Sequence, residues 1–425
     1  MMAEISPKST INGSVRVPGD KSISHRVLMF GALADGVTRA SNLAPGADVR
    51  STGAVLRQLG VDVTVDGDQA VVHGLGVRGF SAASEPLDCG NSGTTMRLMM
   101  GVLAGMDFNS ELIGDASLSG RPMRRVSIPL EAMGAQCALT DGHAPVRITG
   151  SPLAGRRYES PIASAQVKSA IVLAGLFATG RTEVVEPARS RDHTERMLSR
   201  MGANLSIDKL TVGIEKSDLK SLESVVVAGD LSSAAFLIAA GLLLDGDGLT
   251  IRGAGVNPTR TGILDALAQM GATIDRVAER EQAGEPVADL VVRKQALRGT
   301  ELRGELVVRA IDEVPILAVL ATQAVGRTVI ADAGELRVKE SDRLKATHRM
   351  LTDMGATISE TPDGLIIDGP TPLHAARVDS VHDHRIAMAA AVAGLIAAGT
   401  TTIDGAEVVD VSYPGFFQVL DELTQ

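Results

Sequence analysis

Ala132-Met133-Gly134-Ala135 decides the fold, because the chain keeps returning to it. Gln58-Leu59-Gly60-Val61, Arg200-Met201-Gly202-Ala203, Gln269-Met270-Gly271-Ala272 and Asp353-Met354-Gly355-Ala356 have the same form. Each closes a segment with apolar residues at helical spacing and opens one in which apolar residues alternate. A glycine just past the last helical turn can take the left-handed conformation that ends a helix. These glycines lie 74, 68, 69 and 84 residues apart, and a further amphipathic segment, Phe416 to Leu423, closes the chain where the next would fall. The 425 residues thus divide into six modules of about 70, a period typical of repeat architectures.

Each module also carries an Ala-rich helix between β-like runs, starting near Ser22, Ser92, Ser164, Ser232, Asp312 and Asp383. Strand, helix, strand, helix, strand, strand describes an α/β fold whose crossovers imply parallel pairing. Val17-Pro18-Gly19-Asp20-Lys21-Ser22 recurs 210 residues later as Val227-Ala228-Gly229-Asp230-Leu231-Ser232, close to half the chain. The expected architecture is two similar domains, each of three βαβαββ units. Residues 15–228 form a phosphate-binding half, and residues 1–14 plus 229–425 form an acid/base half that includes the N-terminal strand. A single long solenoid is the alternative, disfavoured by the halfway repeat.

Lys plus Arg is 41 and Asp plus Glu 51, giving a net charge of −10, and aromatic residues are 2% with no Trp. That composition argues against nucleic acid, which calls for a basic face and stacking rings. Cys89 and Cys137 make neither a disulfide framework nor a zinc site by themselves. Met1 to Thr10 has no apolar core of a secretory signal, and apolar runs such as Ile386 to Ala398 are too short to span a bilayer. A protein of a reducing compartment without a membrane partner is expected: cytoplasmic, or of an organelle whose transit peptide is already gone. Any cations that serve an anionic ligand must then be concentrated in one place.

Helix starts are where an anion would bind, since free N–H groups and partial positive charge collect there. Gly19-Asp20-Lys21-Ser22-Ile23-Ser24-His25-Arg26 flanks two hydroxyls with two cations, and its counterpart in the fourth module has Leu231 and Phe236 instead. Cys89-Gly90-Asn91-Ser92-Gly93-Thr94-Thr95-Met96-Arg97 is small and polar enough for a ligand to approach the backbone closely. Gly120-Arg121-Pro122 and Ser164-Ala165-Gln166-Val167-Lys168-Ser169 occupy equivalent places. Asp312 stands where other copies have Ser, as a base or a ligand for a hydroxyl. Arg337 to Leu344 is an alternating charge run that reads equally as a solvated helix face. His382-Asp383-His384-Arg385 has His-x-His spacing, but Arg385 beside it would repel a cation, so no metal is expected. Gly74-Leu75-Gly76-Val77-Arg78-Gly79 matches the dinucleotide fingerprint but no crossover helix follows, so it is read as a hairpin loop. Cys89 is read as a small buried residue rather than a nucleophile.

Four of these motifs, in order from about Val17 to Phe417, resemble the 5-enolpyruvylshikimate-3-phosphate synthase family: Val17 to Arg26, Gly90 to Thr95, Arg337 to Leu344 and Asp383 to Met388. The resemblance implies two domains of three βαβαββ units (an inside-out α/β barrel) joined by an interdomain hinge. It also implies transfer of the enolpyruvyl group of phosphoenolpyruvate to the 5-hydroxyl of shikimate 3-phosphate, through a tetrahedral intermediate, with release of phosphate. Lys21, Ser22, Arg26, Ser164, Ala165, Gln166, Arg191, Asp312 and Lys339 would bind shikimate 3-phosphate. Lys21, Gly93, Arg121, Gln166, Arg343 and Arg385 would bind phosphoenolpyruvate. Asp312 matches the family's proton acceptor, and Glu340 or Lys21 the group that delivers a proton to the methylene carbon. No metal or organic cofactor is implied, and the family suggests a monomer.

Many family members carry a Lys before the aromatic-Pro pair near the C-terminus, where this chain reads Asp410-Val411-Ser412-Tyr413-Pro414. Gly93 occupies the position at which resistant forms carry Ala, so inhibition by glyphosate is expected. The alternative is UDP-N-acetylglucosamine 1-carboxyvinyltransferase, which typically uses a Cys in the loop that reads Gly114 to Arg121 here and contains none. A non-catalytic phosphometabolite-binding protein is a third possibility, disfavoured by Asp312 and Glu340.

Overall fold

In a computed structural model, which describes residues 1–424, the repeated glycines end helices. Ala47–Gln58, Arg124–Ala132, His193–Arg200, Gly262–Gln269 and Arg343–Asp353 are each followed by one of them, at φ values of +89°, +108°, +86°, +91° and +86° for Gly60, Gly134, Gly202, Gly271 and Gly355. At the first, Gly60 N–H donates to the Arg57 carbonyl and Val61 N–H to that of Leu56, both at 3.0 Å. These bonds satisfy carbonyls the helix would otherwise leave without donors, and they turn the chain into the following hairpin. A side chain at such a φ would be strained, which is why glycine recurs there.

The second helix of each module is Lys21–Leu33, Gly93–Ala104, Ala165–Gly175, Leu231–Leu243, Val314–Gln323 or His384–Ile396. These helices are buried on nearly every face, so their sequences carry Ala, Gly and Leu all round rather than one apolar stripe. The first three pack on one another, as do the last three, and each also packs on strands of its own sheets. In four modules the strands on either side of the buried helix pair in parallel, such as Leu87–Asp88 with Asn109–Ile113, while Ala34–Ser41 and Asp245–Gly255 take parallel partners from distant parts of the chain. The rest of each complete sheet is antiparallel, as with Asn109–Ile113, His143–Thr149 and Gln136–Thr140, because a tight hairpin reverses direction without a crossover.

By its internal contacts the chain forms two compact units: Gly19–Ala228 with Glu281–Glu285, and Met1–Pro18 with Gly229–Arg280 and Pro286–Gln425. Each holds three sheets. The N-terminal strands belong to the second: Thr10–Arg16 runs parallel to Asp245–Gly255, and Met2–Ile5 lies antiparallel to Thr401–Asp404. The last sheet therefore has three strands, with the N-terminus standing in for the hairpin that the sixth module lacks.

Two expectations need correction. Gly74 to Gly79 is not a hairpin loop; it ends the strand Gln69–Leu75 and leads to Leu87–Asp88 in the next sheet, the module's hairpin being Asp62–Asp66 with Gln69–Leu75. Arg337 to Leu344 is not a solvated helix face: Gly334–Val338 is a short 3-10 helix, and Arg343 opens the next helix with its side chain 1% exposed. Among the described residues, no helix is long and apolar enough to cross a membrane.

Candidate active site

In the unit containing Gly19–Ala228, three buried helices begin with a polar cap. Asp20 accepts from Ile23 N–H at 2.9 Å, Ser92 from Thr95 N–H at 3.1 Å and Ser164 from Val167 N–H at 3.5 Å. Each start is fixed by a strand end followed by Asp or Ser, the residues whose side chains best accept from a first-turn N–H. Lys21 is the first residue of its helix, and its Nζ lies 3.2 Å from Asp48 Oδ2.

Arg26, one turn further, is 3% exposed. Its Nε donates to Thr194 Oγ1 at 2.7 Å, Nη2 to Ser169 Oγ at 2.8 Å and Nη1 to the Ser22 carbonyl at 2.8 Å. All three acceptors are neutral, and no carboxylate of the described residues lies within ion-pair distance of the guanidinium. Burial lowers its pKa to about 10, and nearby Arg191 pushes in the same direction. A buried cation without a bonded anion is expensive, because desolvation is not repaid by a partner. Such a group is suited to an anion that arrives from outside.

His25 faces the other way. Its Nδ1 is 2.7 Å from Thr52 Oγ1, which is 2.7 Å from Thr95 Oγ1, which donates to Ser92 Oγ at 2.7 Å. Burial depresses the imidazole pKa to about 3, so it is neutral, and the chain of hydroxyls ties the first helix start to the second. At that second start a Cβ on Gly93 would lie 3.1 Å from Arg97 Nη1 and 3.5 Å from Arg121 Nη1. Arg97 Nη1 donates to Gln166 Oε1 at 2.5 Å, and Gln166 Nε2 to Thr94 Oγ1 at 3.0 Å, which joins the second start to the third. Arg121 is held by Asn91, whose Oδ1 accepts from Nη2 at 2.6 Å.

The other unit gathers acids and bases. Asp312 lies 3.2 Å from Arg343 Nη1, 3.6 Å from Arg260 Nη1 and 3.7 Å from Lys339 Nζ. Glu340 Oε2 is 2.6 Å from Arg343 Nη2. Asp383 caps the helix His384–Ile396 and grips Arg343, accepting from Nε at 2.7 Å and from Nη2 at 3.3 Å. Burial works against the charged Arg343, but Asp383, Glu340 and Asp312 outweigh it and push its pKa up. Arg385 Nη1 reaches the Asp312 carbonyl at 3.2 Å. Arg343 thus differs from Arg26: it already has three carboxylates.

Asp312, Lys339, Glu340, Arg343 and Arg385 therefore meet in one unit. Lys21, Ser22, Arg26, Gly93, Arg121, Ser164, Ala165, Gln166 and Arg191 share the other. Sequence reasoning did not single out Thr194 or Arg260, and it quoted Arg97, Ser169 and Asp383 within motifs without giving them a role. For Asp383 there was a signal: it sits at the helix-start position that singled out Ser22 and Ser92, but the segment was weighed only for its His-x-His spacing and then set aside. Among the described residues, no group of three or more His, Cys, Asp or Glu is placed to hold a metal ion.

The family model for EPSP synthase (3-phosphoshikimate 1-carboxyvinyltransferase) matches residues 5–420. The chain belongs to the EPSP synthase family. A 3-phosphoshikimate 1-carboxyvinyltransferase of Desulforudis audaxviator is 52% identical over 100% of this chain and 99% of its own length. An EPSP synthase of Acinetobacter baumannii superposes with a TM-score of 0.90 at 40% identity, covering 100% of this chain and 98% of that one. The enolpyruvyl transferase NikO of Streptomyces tendae, at 21% identity and a TM-score of 0.81, shares the fold. Val411 closes a 3-10 helix, Ala406–Val411, two residues before Tyr413, whose ring lies 5.4 Å from that of Phe416 and whose phenol pKa burial pushes up. The loop Gly114 to Arg121 contains the short helix Ala116–Ser119, capped by Asp115.

Proposed function

We propose that this chain transfers the enolpyruvyl group of phosphoenolpyruvate to the 5-hydroxyl of shikimate 3-phosphate, releasing phosphate. The observation that carries the proposal is Arg26, a buried guanidinium with neutral protein partners beside a second arginine, in a chain half identical to curated 3-phosphoshikimate 1-carboxyvinyltransferases. Lys21, Ser22, Arg26, Ser164, Ala165, Gln166, Arg191, Asp312 and Lys339 are assigned to shikimate 3-phosphate. Lys21, Gly93, Arg121, Gln166, Arg343 and Arg385 are assigned to phosphoenolpyruvate. Asp312 accepts the hydroxyl proton as oxygen attacks the central carbon, while Lys21 or Glu340 supplies a proton to the methylene carbon. The tetrahedral adduct then loses phosphate as the methyl group gives up a proton. Fixed cations on phosphate and carboxylate are what this charge flow needs. We further read the protein as a cytoplasmic monomer inhibited by glyphosate, with no metal or organic cofactor.

Phosphate release from phosphoenolpyruvate, measured with shikimate 3-phosphate and separately with UDP-N-acetylglucosamine as acceptor, tests the assignment. Release with the first alone is expected. Release with the nucleotide sugar alone, or with neither, overturns it. Asp312→Asn should lower kcat at least 100-fold, the usual scale for a proton-transfer group.

A further inference from the structure

We infer that Thr194 and Ser169 are positioning residues for substrate: they hold Arg26 in place without neutralising it. The two hydroxyl oxygens are 2.7 Å apart, and Ser169 Oγ donates to the Ala165 carbonyl at 2.6 Å. That bond fixes the direction of the rest. Ser169 Oγ accepts from the Thr194 hydroxyl, and both oxygens turn lone pairs to the guanidinium, as the donor and acceptor inventory of a hydroxyl requires. Three of the five N–H groups of Arg26 are thereby committed, to Thr194, Ser169 and the Ser22 carbonyl. The others remain for an anion, whose bond to a guanidinium is stronger than one from a neutral oxygen.

Glu195, the acid whose charge acts most on Arg26, is held by another cation. Glu195 follows Thr194 in the chain, yet its Oε1 lies 2.7 Å from Lys168 Nζ, which also reaches Glu186 Oε2 at 2.8 Å. Lys168 and Glu195 are each 2% exposed, and Ser190 Oγ completes the cluster by donating to Glu186 Oε1 at 2.5 Å. The bridge thus joins the residues adjoining Ser169 and Thr194, on the same two helices, Ala165–Gly175 and His193–Arg200. A carboxylate bonded to Arg26 would compete with the substrate for it. Hydroxyls orient the guanidinium and leave its charge for the ligand.

This inference rests on the proposal that Arg26 meets shikimate 3-phosphate, and the variants are chosen to separate the two. KM for each substrate, kcat and Tm are measured for Thr194→Val, Thr194→Ser, Ser169→Ala, Arg26→Gln and the Thr194→Val/Arg26→Gln double variant. Thr194→Val should raise KM for shikimate 3-phosphate about tenfold, the scale of one hydrogen bond to a charged group, with KM for phosphoenolpyruvate within about twofold. Ser169→Ala should act in the same direction and Thr194→Ser should restore the native value. In the Arg26→Gln background, Thr194→Val should add nothing. If Arg26→Gln weakens shikimate 3-phosphate but Thr194→Val and Ser169→Ala leave it unchanged, or Thr194→Val acts equally in both backgrounds, the positioning role is overturned and the Arg26 assignment stands. If Arg26→Gln leaves that KM unchanged, both fall.

Discussion

At the scale of single residues, Gly93 and His25 show how tightly the first unit is specified. Gly93 has no left-handed φ, so its backbone accepts alanine, and the constraint is space: an added methyl group must displace Arg97 by a few tenths of an ångström. Arg97 holds Gln166, so the shift passes to a residue assigned to phosphoenolpyruvate. Gly93→Ala should therefore weaken glyphosate inhibition at least tenfold while raising KM for phosphoenolpyruvate less. Equal potency against both forms would show that glyphosate does not read this space. His25 gives a pH dependence. Its pKa falls from 6.5 to about 3 on folding, so below pH 6.5 the unfolded chain binds the proton and the folded chain does not. Stability is then lost as pH falls, by about 2 kcal/mol between pH 7 and pH 5 from this group. Urea melts of the native protein and His25→Asn across that range should show a shallower acid loss in the variant.

At the scale of elements, glycine serves two different purposes that one substitution each can separate. Gly202 has φ +86° and open space around it, so Gly202→Ala meets backbone strain alone and should cost about 1–2 kcal/mol in denaturant melts. Gly101 is helical, but a Cβ there would run into the Ala170 carbonyl of the helix Ala165–Gly175. Gly101→Ala should cost more than Gly202→Ala, because it drives apart the helices that carry Gly93 and Gln166. The first kind of glycine was legible from its neighbours, since an apolar turn, a glycine and an alternating run make a local signal. The second was not, because close approach between distant segments leaves no periodic mark. The same divide runs through the site. Lys21, Arg26 and Asp312 interrupt a repeat and so stood out, whereas Thr194, Ser169 and Asp383 matter through partners between 25 and 168 positions away. Parallel pairing was overextended for a related reason: strand order follows from helix crossovers, but the hairpin in each module reverses direction locally.

At the scale of the whole molecule, the net charge of −10 hides an uneven distribution of what is paired. Arg343 is buried among three carboxylates, while Arg26 is buried among hydroxyls and a carbonyl. The free protein bears the desolvation of that second cation without a bonded anion, so on the proposed assignment stability is given up where substrate is to bind. Two consequences can be measured on the intact chain. Arg26→Met keeps most of the apolar stem and removes the charge, and it should raise the stability of the free protein by about 1–2 kcal/mol. Shikimate 3-phosphate at one hundred times its Kd should stabilise the native protein by about 2.7 kcal/mol and leave Arg26→Met nearly unchanged at the same concentration. Were the variant less stable than the native protein, the guanidinium would be a structural tie held by Thr194, Ser169 and Ser22. Were it more stable yet still stabilised by ligand, the anion would bind elsewhere. Only a gain in the free state together with a loss of ligand stabilisation matches a cation kept buried for a substrate.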